Sequence, residues 1–244
     1  MRWLYRLICA LICSLALLSC SLSPVERPAT IICITFDDAH YSVFQNALPI
    51  LQRYGIRATS FVNSGLVGTG YAMDWNQIVI LEKEHYWETG AHGLSHANLA
   101  EMDMEEARRQ IVEDKRQLEA KGLTPQCFAL PFGVCPSEYY PIIAQHYRYI
   151  RGSHDITMQA PVDGKHLGYF SFQDGWTAQE VKARILRGLA NQEALIIIGF
   201  HSVGDDIPYY GNCPPAELEA LCDWLQSANL PTMTLSEAMS ALKE

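Results

Sequence analysis

Ile31-Ile-Cys-Ile-Thr-Phe-Asp-Asp38 is the stretch that decides the fold, because an apolar run here ends in two adjacent carboxylates. Four apolar residues, three of them β-branched, run into Thr-Phe and predict a buried strand. Asp37 and Asp38 stand at the carboxyl end of that strand. Burying a carboxylate is costly unless it is paired, hydrogen-bonded or bound to a cation. We therefore expect each of the two to have a partner or a cation.

A second informative stretch is His92-Gly-Leu-Ser-His96. Its two imidazoles are four residues apart, so one helical turn would point both in the same direction. Imidazole and carboxylate together suit Zn²⁺ and other divalent transition metals. Taken alone, the Asp pair could instead be a helix N-cap and a surface acid. With the His pair present, we expect the fold to bring the two stretches together.

Length and composition fit one large α/β domain. The chain has 244 residues, of which 49% are apolar and 18% charged, as in an ordinary globular protein with a sizeable core. The formal net charge of −9 argues against nucleic acid as a partner, because phosphate binding requires a basic surface. A neutral polymer remains compatible with this charge.

The N-terminal segment has the pattern of an export signal. Arg2 and Arg6 precede an apolar run, 7–18, that is too short for a membrane span and is typical of a secretory signal. The run ends in Leu17-Leu-Ser-Cys20, which resembles the lipobox of bacterial lipoproteins. We predict a signal peptide over 1–19, a lipid-modified Cys20, a tether over 20–29 and one domain over 30–244. The alternative is a plain signal peptide with an incidental cysteine.

Five of the eight cysteines remain once the predicted signal and Cys20 are set aside. This odd number leaves at least one thiol free unless an intermolecular bridge forms. Cys33 lies in the predicted core strand, so we expect it to be a small buried apolar residue. Pairing of Cys213 with Cys222 stays open.

The rest of the chain alternates between strand and helix patterns. Predicted strands cover 31–36, 58–63, 126–130, 147–151, 167–172, 194–200 and 231–233. Predicted helices cover 41–54, 75–88, 103–121, 137–146, 177–191, 214–228 and a last segment from residue 234. Such alternation implies parallel strands joined by right-handed crossovers. At this length we expect a deformed or incomplete (β/α) barrel of about seven parallel strands, rather than an open sheet.

Polar groups recur directly after these predicted core segments. In parallel α/β folds, functional groups collect at the carboxyl ends of the strands. We therefore expect one site that contains Asp37 with Asp38, His92 with His96, Pro131-Phe-Gly133, Arg151, Asp174 and His201.

The order of these motifs resembles that of polysaccharide deacetylases, the carbohydrate esterase family 4 or NodB-homology group. The segments that carry the resemblance are Thr35-Phe-Asp-Asp38, His92-x-x-Ser95-His96, Leu130-Pro-Phe-Gly133, Asp174-Gly-Trp176 and Phe200-His201. The resemblance spans roughly residues 30–235. It implies a deformed (β/α) barrel and the following roles: Asp37 as general base, Asp38, His92 and His96 as metal ligands, His201 as general acid, and the backbone N–H of Phe132 as a donor to the oxyanion.

Amide hydrolysis needs these parts on chemical grounds too. A divalent metal with three protein ligands leaves room for water and for the substrate carbonyl. A carboxylate beside the metal can take a proton from the water, and an imidazole opposite can protonate the departing amine. We further expect Ser95 to orient a neighbouring ligand and Trp176 to be partly core and partly a platform for a sugar.

The third motif departs from the family pattern. The family's arginine is absent from Cys127-Phe-Ala-Leu-Pro131, and that arginine usually pairs with the aspartate of the fourth motif. Asp174 therefore either lacks its usual partner or is not the equivalent residue. We hypothesise that Arg151, at the next predicted strand end, supplies the cation.

The resemblance predicts a metal-dependent hydrolase that removes N- or O-linked acetyl groups from a cell-envelope or extracellular glycan. The expected metal is Zn²⁺, with Co²⁺, Mn²⁺ or Ni²⁺ as alternatives. We expect an exported monomer held at the outer membrane, in the periplasm or at the cell surface, with its lipid anchor as the sole membrane contact. The alternatives are a related C–N hydrolase for a small amide and a non-catalytic glycan-binding lipoprotein.

Overall fold

The centre of the protein is a seven-stranded parallel sheet curled into a half-barrel, as expected. The structure, a computed structural model, describes residues 30–152, 154–204 and 210–243. Across the sheet the strand order is β5-β4-β3-β2-β1-β7-β6. The strands are β1 Ile31–Phe36, β2 Thr59–Val62, β3 Glu88–Ala91, β4 Cys127–Ala129, β5 Tyr149–Arg151, β6 Phe170–Ser171 and β7 Leu195–Phe200. A separate pair, β8 Ser202–Val203 and β9 Asn212–Cys213, follows β7.

Helices connect the strands, and all but the last of those described cover the outer face of the sheet. They are α1 Leu48–Arg53, α2 Trp75–Lys83, α3 Met104–Ala120, α4 Tyr140–His146, α5 Ala178–Ala190, α6 Pro215–Ser227 and α7 Leu235–Ala241. A π-helical turn, Val43–Ala47, leads into α1. Side chains cap two of these helices at the N-terminus, since Asp103 accepts the N–H of Glu106 and Thr177 forms a capping box with Glu180. In the described part of the chain, no helix is both long enough and apolar enough to cross a membrane.

Strand β1 lies at the centre of the fold, and its register with β7 determines which residues reach the edge of the sheet where the site lies. Its six residues are buried and pair in register with β7, from Ile31 opposite Leu195 to Phe36 opposite Phe200. A parallel strand covered on both faces is typically a continuous apolar run, which explains the composition of both strands. Because the register ends at Phe36 and Phe200, the next residues, Asp37 and His201, emerge at the same edge of the sheet.

The two faces of the sheet bury separate apolar clusters. Ile32 and Ile34 of β1 pack outward with residues of α1 to α6, whereas Ile31 and Cys33 belong to a cluster on the inner face. Helix α7 supplies Leu235, Ala238 and Met239 to that inner cluster. Cys33 is buried as predicted. All five described cysteines, Cys213 and Cys222 included, are free thiols.

One predicted helix is too long, and a strand was missed. Helix α2 ends at Lys83, and Glu88–Ala91 forms β3 instead of the last turn of a helix over 75–88. Gly90, two residues beyond the predicted helix, lies in β3, where the ring of Phe61 packs against it so closely that a Cβ would overlap the ring. Burial of this segment against the sheet outweighs its helical spacing.

The prediction of a last strand over 231–233 is also wrong. Thr232 makes a single isolated bridge with Ile32. The backbone of the neighbouring Pro231 and Met233 also bonds to Ile32, so the segment lies along β1 before α7 begins. The predicted number of seven strands is therefore confirmed, with β3 in place of 231–233.

Candidate active site

A cavity of about 670 Å³ opens at the carboxyl ends of the strands. Its volume lies within the range of roughly 300–1,000 Å³ that is usual for small-molecule sites. The structure brings seven of the ten predicted site residues to its wall. They are Asp37, Asp38, His92, His96, Phe132, Trp176 and His201.

Three of these residues form a set of candidate metal ligands. Oδ1 of Asp38 lies 3.6 Å from Nε2 of His92 and 3.4 Å from Nε2 of His96, and one donor atom from each residue falls within 4.8 Å of the others. Two ligands bonded to one tetrahedral Zn²⁺ are about 3.4 Å apart, because each bond is about 2.1 Å long. The donor set therefore fits three corners of a tetrahedral ion.

The protonation state of His92 suits a metal ligand. Its Nδ1 lies 2.9 Å from the carbonyl oxygen of Ala129, which can only accept, so Nδ1 carries the proton and the lone pair of Nε2 faces Asp38. Burial also lowers the pKa of His92, although the carboxylates of Asp37 and Asp38 oppose this effect. The ring is therefore neutral, as a ligand must be.

The two histidines lie in a loop and not on the helical turn that would point both rings in one direction. The segment is a loop after β3, in which Gly93 has φ 78° and His96 has φ 52°. These left-handed residues bend the loop so that both rings reach Asp38. The histidines thus face the same point because of a turn rather than a helical repeat.

Side chains of helix α3 fix this loop through hydrogen bonds to its backbone. The carboxylate of Asp114 is fully buried and accepts the backbone N–H groups of Ser64 and His92 at 2.9 and 3.2 Å. Burial raises the pKa of Asp114 to about 7, although these hydrogen bonds oppose the rise. Ser95 donates its backbone N–H and hydroxyl to Oε1 of Gln110 on the same helix. Ser95 therefore fixes to α3 the loop that carries both histidines, and its role in orienting a ligand stays a prediction.

Asp37 is paired with the cation proposed from the sequence. Nη2 of Arg151 lies 2.5 Å from Oδ1 of Asp37, and both side chains are at most 3% exposed. Burial acts to raise the pKa of Asp37, but the charge and hydrogen bond of Arg151, with smaller effects of His92 and His201, hold this pKa below its usual value. Asp37 is therefore ionised at neutral pH, as a general base requires.

Two aromatic rings hold Arg151 in place. Its guanidinium carbon lies 3.9 Å from the ring centroid of Tyr169 and 4.8 Å from that of Phe61. Gly199 of β7 leaves room for Tyr169, because a Cβ at this position would overlap its ring. Tyr169 also lines the cavity and was missed from the sequence. The sequence did offer a signal for Tyr169. In the predicted strand 167–172 it lies two residues after Leu167 and so on the same face, and both residues face inward.

His201 stands at the end of β7 beside an aromatic wall. Its ring makes an edge contact with Tyr210 at 5.2 Å between centroids, and the Tyr210 hydroxyl donates to Gln173 at 2.8 Å. Nδ1 of His201 is buried and has no hydrogen-bond partner within the described ranges. Trp176 lines the same cavity and packs edge-on against Phe172. Both predicted functions of Trp176, core and platform, are compatible with this position.

Asp174 does not join the site. Its side chain is exposed and accepts the backbone N–H of Asn212 at 3.1 Å. Strand β6 ends at Ser171, so Asp174 falls in the turn before α5, beyond the strand end. No hydrogen bond or ion pair among the described residues links Asp174 to Asp37 or Arg151, as expected if Asp174 lacks its usual partner or is not the equivalent residue. A supporting role for Asp174 stays a prediction.

Several site residues have a backbone conformation that is rare for side chains other than glycine. Positive φ angles occur at Asp38 (67°), Ala39 (50°), His96 (52°) and Phe132 (56°). Each costs on the order of 1–3 kcal/mol and persists only where the surrounding structure enforces it. At Phe132 the exposed ring lies 4.7 Å from that of His96, which brings its backbone to the edge of the metal-ligand set.

Comparison with known proteins identifies a single family. The model of the polysaccharide deacetylase family matches residues 25–149, just over half of the chain. A poly-β-1,6-N-acetyl-D-glucosamine N-deacetylase from Staphylococcus aureus is 29% identical over 132 residues. That match covers 48% of this chain and 45% of the relative, so the chain spans less than half the length of the protein it matches.

Solved structures share the fold at lower sequence identity. A Mycobacterium smegmatis protein described as a polysaccharide deacetylase superposes with a TM-score of 0.69 at 15% identity, over 89% of this chain and 92% of the other. The peptidoglycan deacetylase PdaC from Bacillus subtilis superposes with a TM-score of 0.56 at 20% identity, over 90% and 94%. At these identities the likeness concerns the fold.

Proposed function

The chain belongs to the polysaccharide deacetylase family, and on this premise we propose that it is a metal-dependent hydrolase of acetyl groups on a glycan. The observation that carries the proposal is one cavity in which a candidate metal site, Asp38 with His92 and His96, adjoins a carboxylate held ionised by Arg151. A non-catalytic glycan-binding protein would have no use for that buried ion pair. The glycan we favour contains N-acetylglucosamine, because the S. aureus relative is named for such a polymer.

The chain's own residues divide the reaction between them. Asp37, ionised beside Arg151, accepts a proton as water attacks the acetyl carbonyl. The backbone N–H of Phe132 donates to the developing oxyanion, and His201, at the end of β7, protonates the departing amine. A divalent ion bound by Asp38, His92 and His96 would supply Lewis-acid polarisation of the carbonyl and the water.

The aromatic wall suits a sugar ring. Trp176 and Tyr210 line the same cavity as the acid and the base, and Gln173 presents an amide there. A pyranose has an apolar C–H face that packs on aromatic rings and hydroxyl groups that bond polar side chains. We propose that Trp176 and Tyr210 hold the reacting sugar.

Acetate release by the mature protein tests the function. N-acetylglucosamine polymers in β-1,4 and β-1,6 linkage, peptidoglycan and acetylated xylan would be offered to the protein as purified, after chelation, and after Zn²⁺ or Co²⁺ is restored. Asp38→Asn is compared with Asp223→Asn, which changes an exposed carboxylate on α6. We expect release that chelation and Asp38→Asn abolish and that restored metal and Asp223→Asn leave intact.

Other outcomes would point to the alternatives. Acetate released from small amides but from no glycan would favour the related C–N hydrolase. No release from any compound and no bound metal would favour the glycan-binding protein. Release that survives chelation and Asp38→Asn would contradict the metal-dependent reaction.

We also propose that the protein is exported as a lipoprotein anchored through Cys20. The support is the pattern of residues 1–20, which lie outside the described residues. Fractionation of cells that express the full chain should find the protein with membranes and should find Cys20→Ala in a soluble fraction. Recovery of both proteins in the same fraction would contradict the anchor.

A further inference from the structure

The segment after the two aspartates also binds the part of the chain that carries the proposed acid. The backbone N–H of Val203, two residues after His201, donates to Oγ of Ser42 at 3.0 Å. The carbonyl oxygen of Val203 accepts a hydrogen bond from Nδ2 of Asn46 at 2.6 Å. Ser42 stands directly before the π-helical turn Val43–Ala47, and Asn46 lies within it. Val203 is fully buried, so water cannot replace these two partners of its backbone.

His40 orients the hydroxyl group of Ser42. The backbone N–H of Ser42 donates to Nδ1 of His40 at 3.2 Å, so this nitrogen acts as an acceptor. It therefore also accepts the hydroxyl hydrogen of Ser42, whose oxygen lies 2.8 Å away. The hydroxyl oxygen is then left to accept the N–H of Val203. The rings of Tyr41 and Tyr71 stack on the buried imidazole of His40, with centroids 5.0 and 5.3 Å away, and hold it in place.

His201 lies between two points at which its backbone is attached to the segment 37–46. On one side, the carbonyl oxygen of Phe200 accepts the backbone N–H of Asp37 at 2.9 Å. On the other side are the two hydrogen bonds to Val203. One segment therefore carries the base and fixes the backbone on both sides of the acid. A π-helical turn is rare and occurs frequently at functional sites, which agrees with a role in placing these groups.

The imidazole of His201 has few restraints of its own. In the parts of the chain that the structure describes, its Nδ1 is buried without a hydrogen-bond partner. Its ring contact is with Tyr210, whose side chain is itself exposed. The backbone, rather than a hydrogen bond to the ring, thus determines where this imidazole lies.

We propose that Ser42 and Asn46 are positioning residues for His201, and that they hold this acid where it can protonate the departing amine. This role rests on the proposed function, and neither residue belongs to the motifs that carry the family resemblance. In that reaction the C–N bond of the acetamide breaks, and the amine nitrogen takes the proton of His201 as it departs. An ester of 4-nitrophenol breaks its C–O bond without this proton, because 4-nitrophenolate is a stable anion. The two kinds of substrate therefore separate the placement of the acid from the rest of the site.

Removing the two side chains tests the role. Ser42→Ala and Asn46→Ala are compared with the wild type on fully acetylated N-acetylglucosamine pentamers, in β-1,4 and β-1,6 linkage, and on 4-nitrophenyl acetate. We expect kcat on the pentamer to fall about 10- to 100-fold, as for a small misplacement of a catalytic group, with KM little changed. On the ester, kcat should change less than about twofold, since that leaving group needs no proton. Asn46 is only half-buried, so Asn46→Ala gives a result even if Ser42→Ala does not fold.

Thr59→Val is the matched control, because it removes a buried hydroxyl at the amino end of β2, away from the cavity. Like that of Ser42, this hydroxyl accepts a backbone N–H, here of Leu235 at 3.0 Å, and it donates to Glu88. Thr59→Val should lower Tm about as much as Ser42→Ala does. It should leave the ratio of kcat on the two substrates at the wild-type value.

A second measurement asks whether the two residues act through His201. In a His201→Ala background, adding Ser42→Ala or Asn46→Ala should cause no further fall in kcat on the pentamer, because the group that they position is absent. A fall of the same size in both backgrounds would overturn the proposal. An equal fall on the pentamer and the ester, or no fall on either, would overturn it too.

The proposed function and the positioning role fail in different ways. A wild type that releases acetate from no glycan would overturn the function and the role together. A wild type that is active on a pentamer, with Ser42→Ala and Asn46→Ala variants that behave like Thr59→Val, would overturn the role alone.

Discussion

At the scale of single residues, the pair Asp37–Arg151 decides whether the site contains a base. Burial alone would raise the pKa of Asp37, and the guanidinium at 2.5 Å reverses this by holding the pKa below its usual value. The family's usual arginine is missing from the segment before Pro131, and Arg151, from β5, pairs directly with Asp37 rather than with Asp174. The hypothesis drawn from the sequence agrees with this contact, and its effect on turnover is a prediction.

Arg151→Met should move the acidic limb of the kcat/KM profile to higher pH. Without the cation, the effect of burial prevails and the pKa of Asp37 rises, so a larger fraction of the base is protonated at pH 7. Each unit of rise lowers activity on the acidic side about tenfold. Arg151→Lys should show a smaller shift because it keeps the charge and loses the stacking on Tyr169.

The matched control is Arg148→Met, which removes an exposed arginine three residues earlier. Its pH profile should coincide with that of the wild type. An acidic limb that does not move in Arg151→Met would show that the ionisation of the base does not depend on this pair.

At the scale of elements, α3 supports the metal-ligand loop through one buried carboxylate. Ala107, Ile111 and Leu118 form the apolar stripe of α3, and Asp114 lies within that stripe. This placement was visible in the sequence as a charged residue at an apolar helical position. The sequence does not indicate what this carboxylate does, because the backbone N–H groups that it accepts belong to Ser64 and His92, on other elements.

Asp114→Ala should lower metal affinity by about 10–100-fold, as is typical when a group that positions a ligand is removed. It leaves two buried N–H groups unpaired, at about 1–3 kcal/mol each. The variant should remain folded, and its affinity would be measured by competition with a chromogenic chelator. Glu119→Ala, an exposed change on the same helix, is the control. Equal affinities in the two variants would contradict the supporting role.

The pH dependence of stability gives a second measure of Asp114. Its folded pKa of about 7 lies above the usual 3.8 of an aspartate, so the folded state holds this proton more tightly than the unfolded state does. The wild type should therefore lose up to about 4 kcal/mol of unfolding free energy through this group as pH rises from about 4 to 7. Metal-free Asp114→Ala should lack that part of the slope in urea unfolding.

At the scale of the whole molecule, the regular parts of the fold followed from the sequence and the site geometry followed only in part. Period and composition predict β1, β7 and α5, because each buries a continuous face. Strand β3 was not predicted, since its Thr89-Gly90-Ala91 lacks β-branched apolar residues. Its Gly90 makes room for Phe61, which is distant in sequence. Asp174 was misplaced because a motif gives the order along the chain and not the length of the strand before it.

Helix α7 is hydrogen-bonded to the sheet and packs into its inner cluster, so we expect this helix to unfold together with the rest of the domain. Glu88 of β3 accepts hydrogen bonds from Thr59 at 3.0 Å, from Cys127 at 2.9 Å and from the backbone N–H of Ser236 at 2.9 Å, which links three strand regions to α7. Leu235 is fully buried in the inner cluster. A half-barrel whose inner face depends on this helix should behave as one cooperative unit.

Leu235→Ala should therefore lower the free energy of unfolding of the whole domain by about 2–5 kcal/mol and Tm by about 5–15 °C, in a single transition. Leu186→Ala, which trims an exposed leucine on α5, should change Tm by little. Calorimetry and loss of the metal site, followed together, would measure both variants. If Leu235→Ala produced an early partial transition with the metal site intact, α7 would be a separable attachment, and the inner face of the half-barrel would be stable without it.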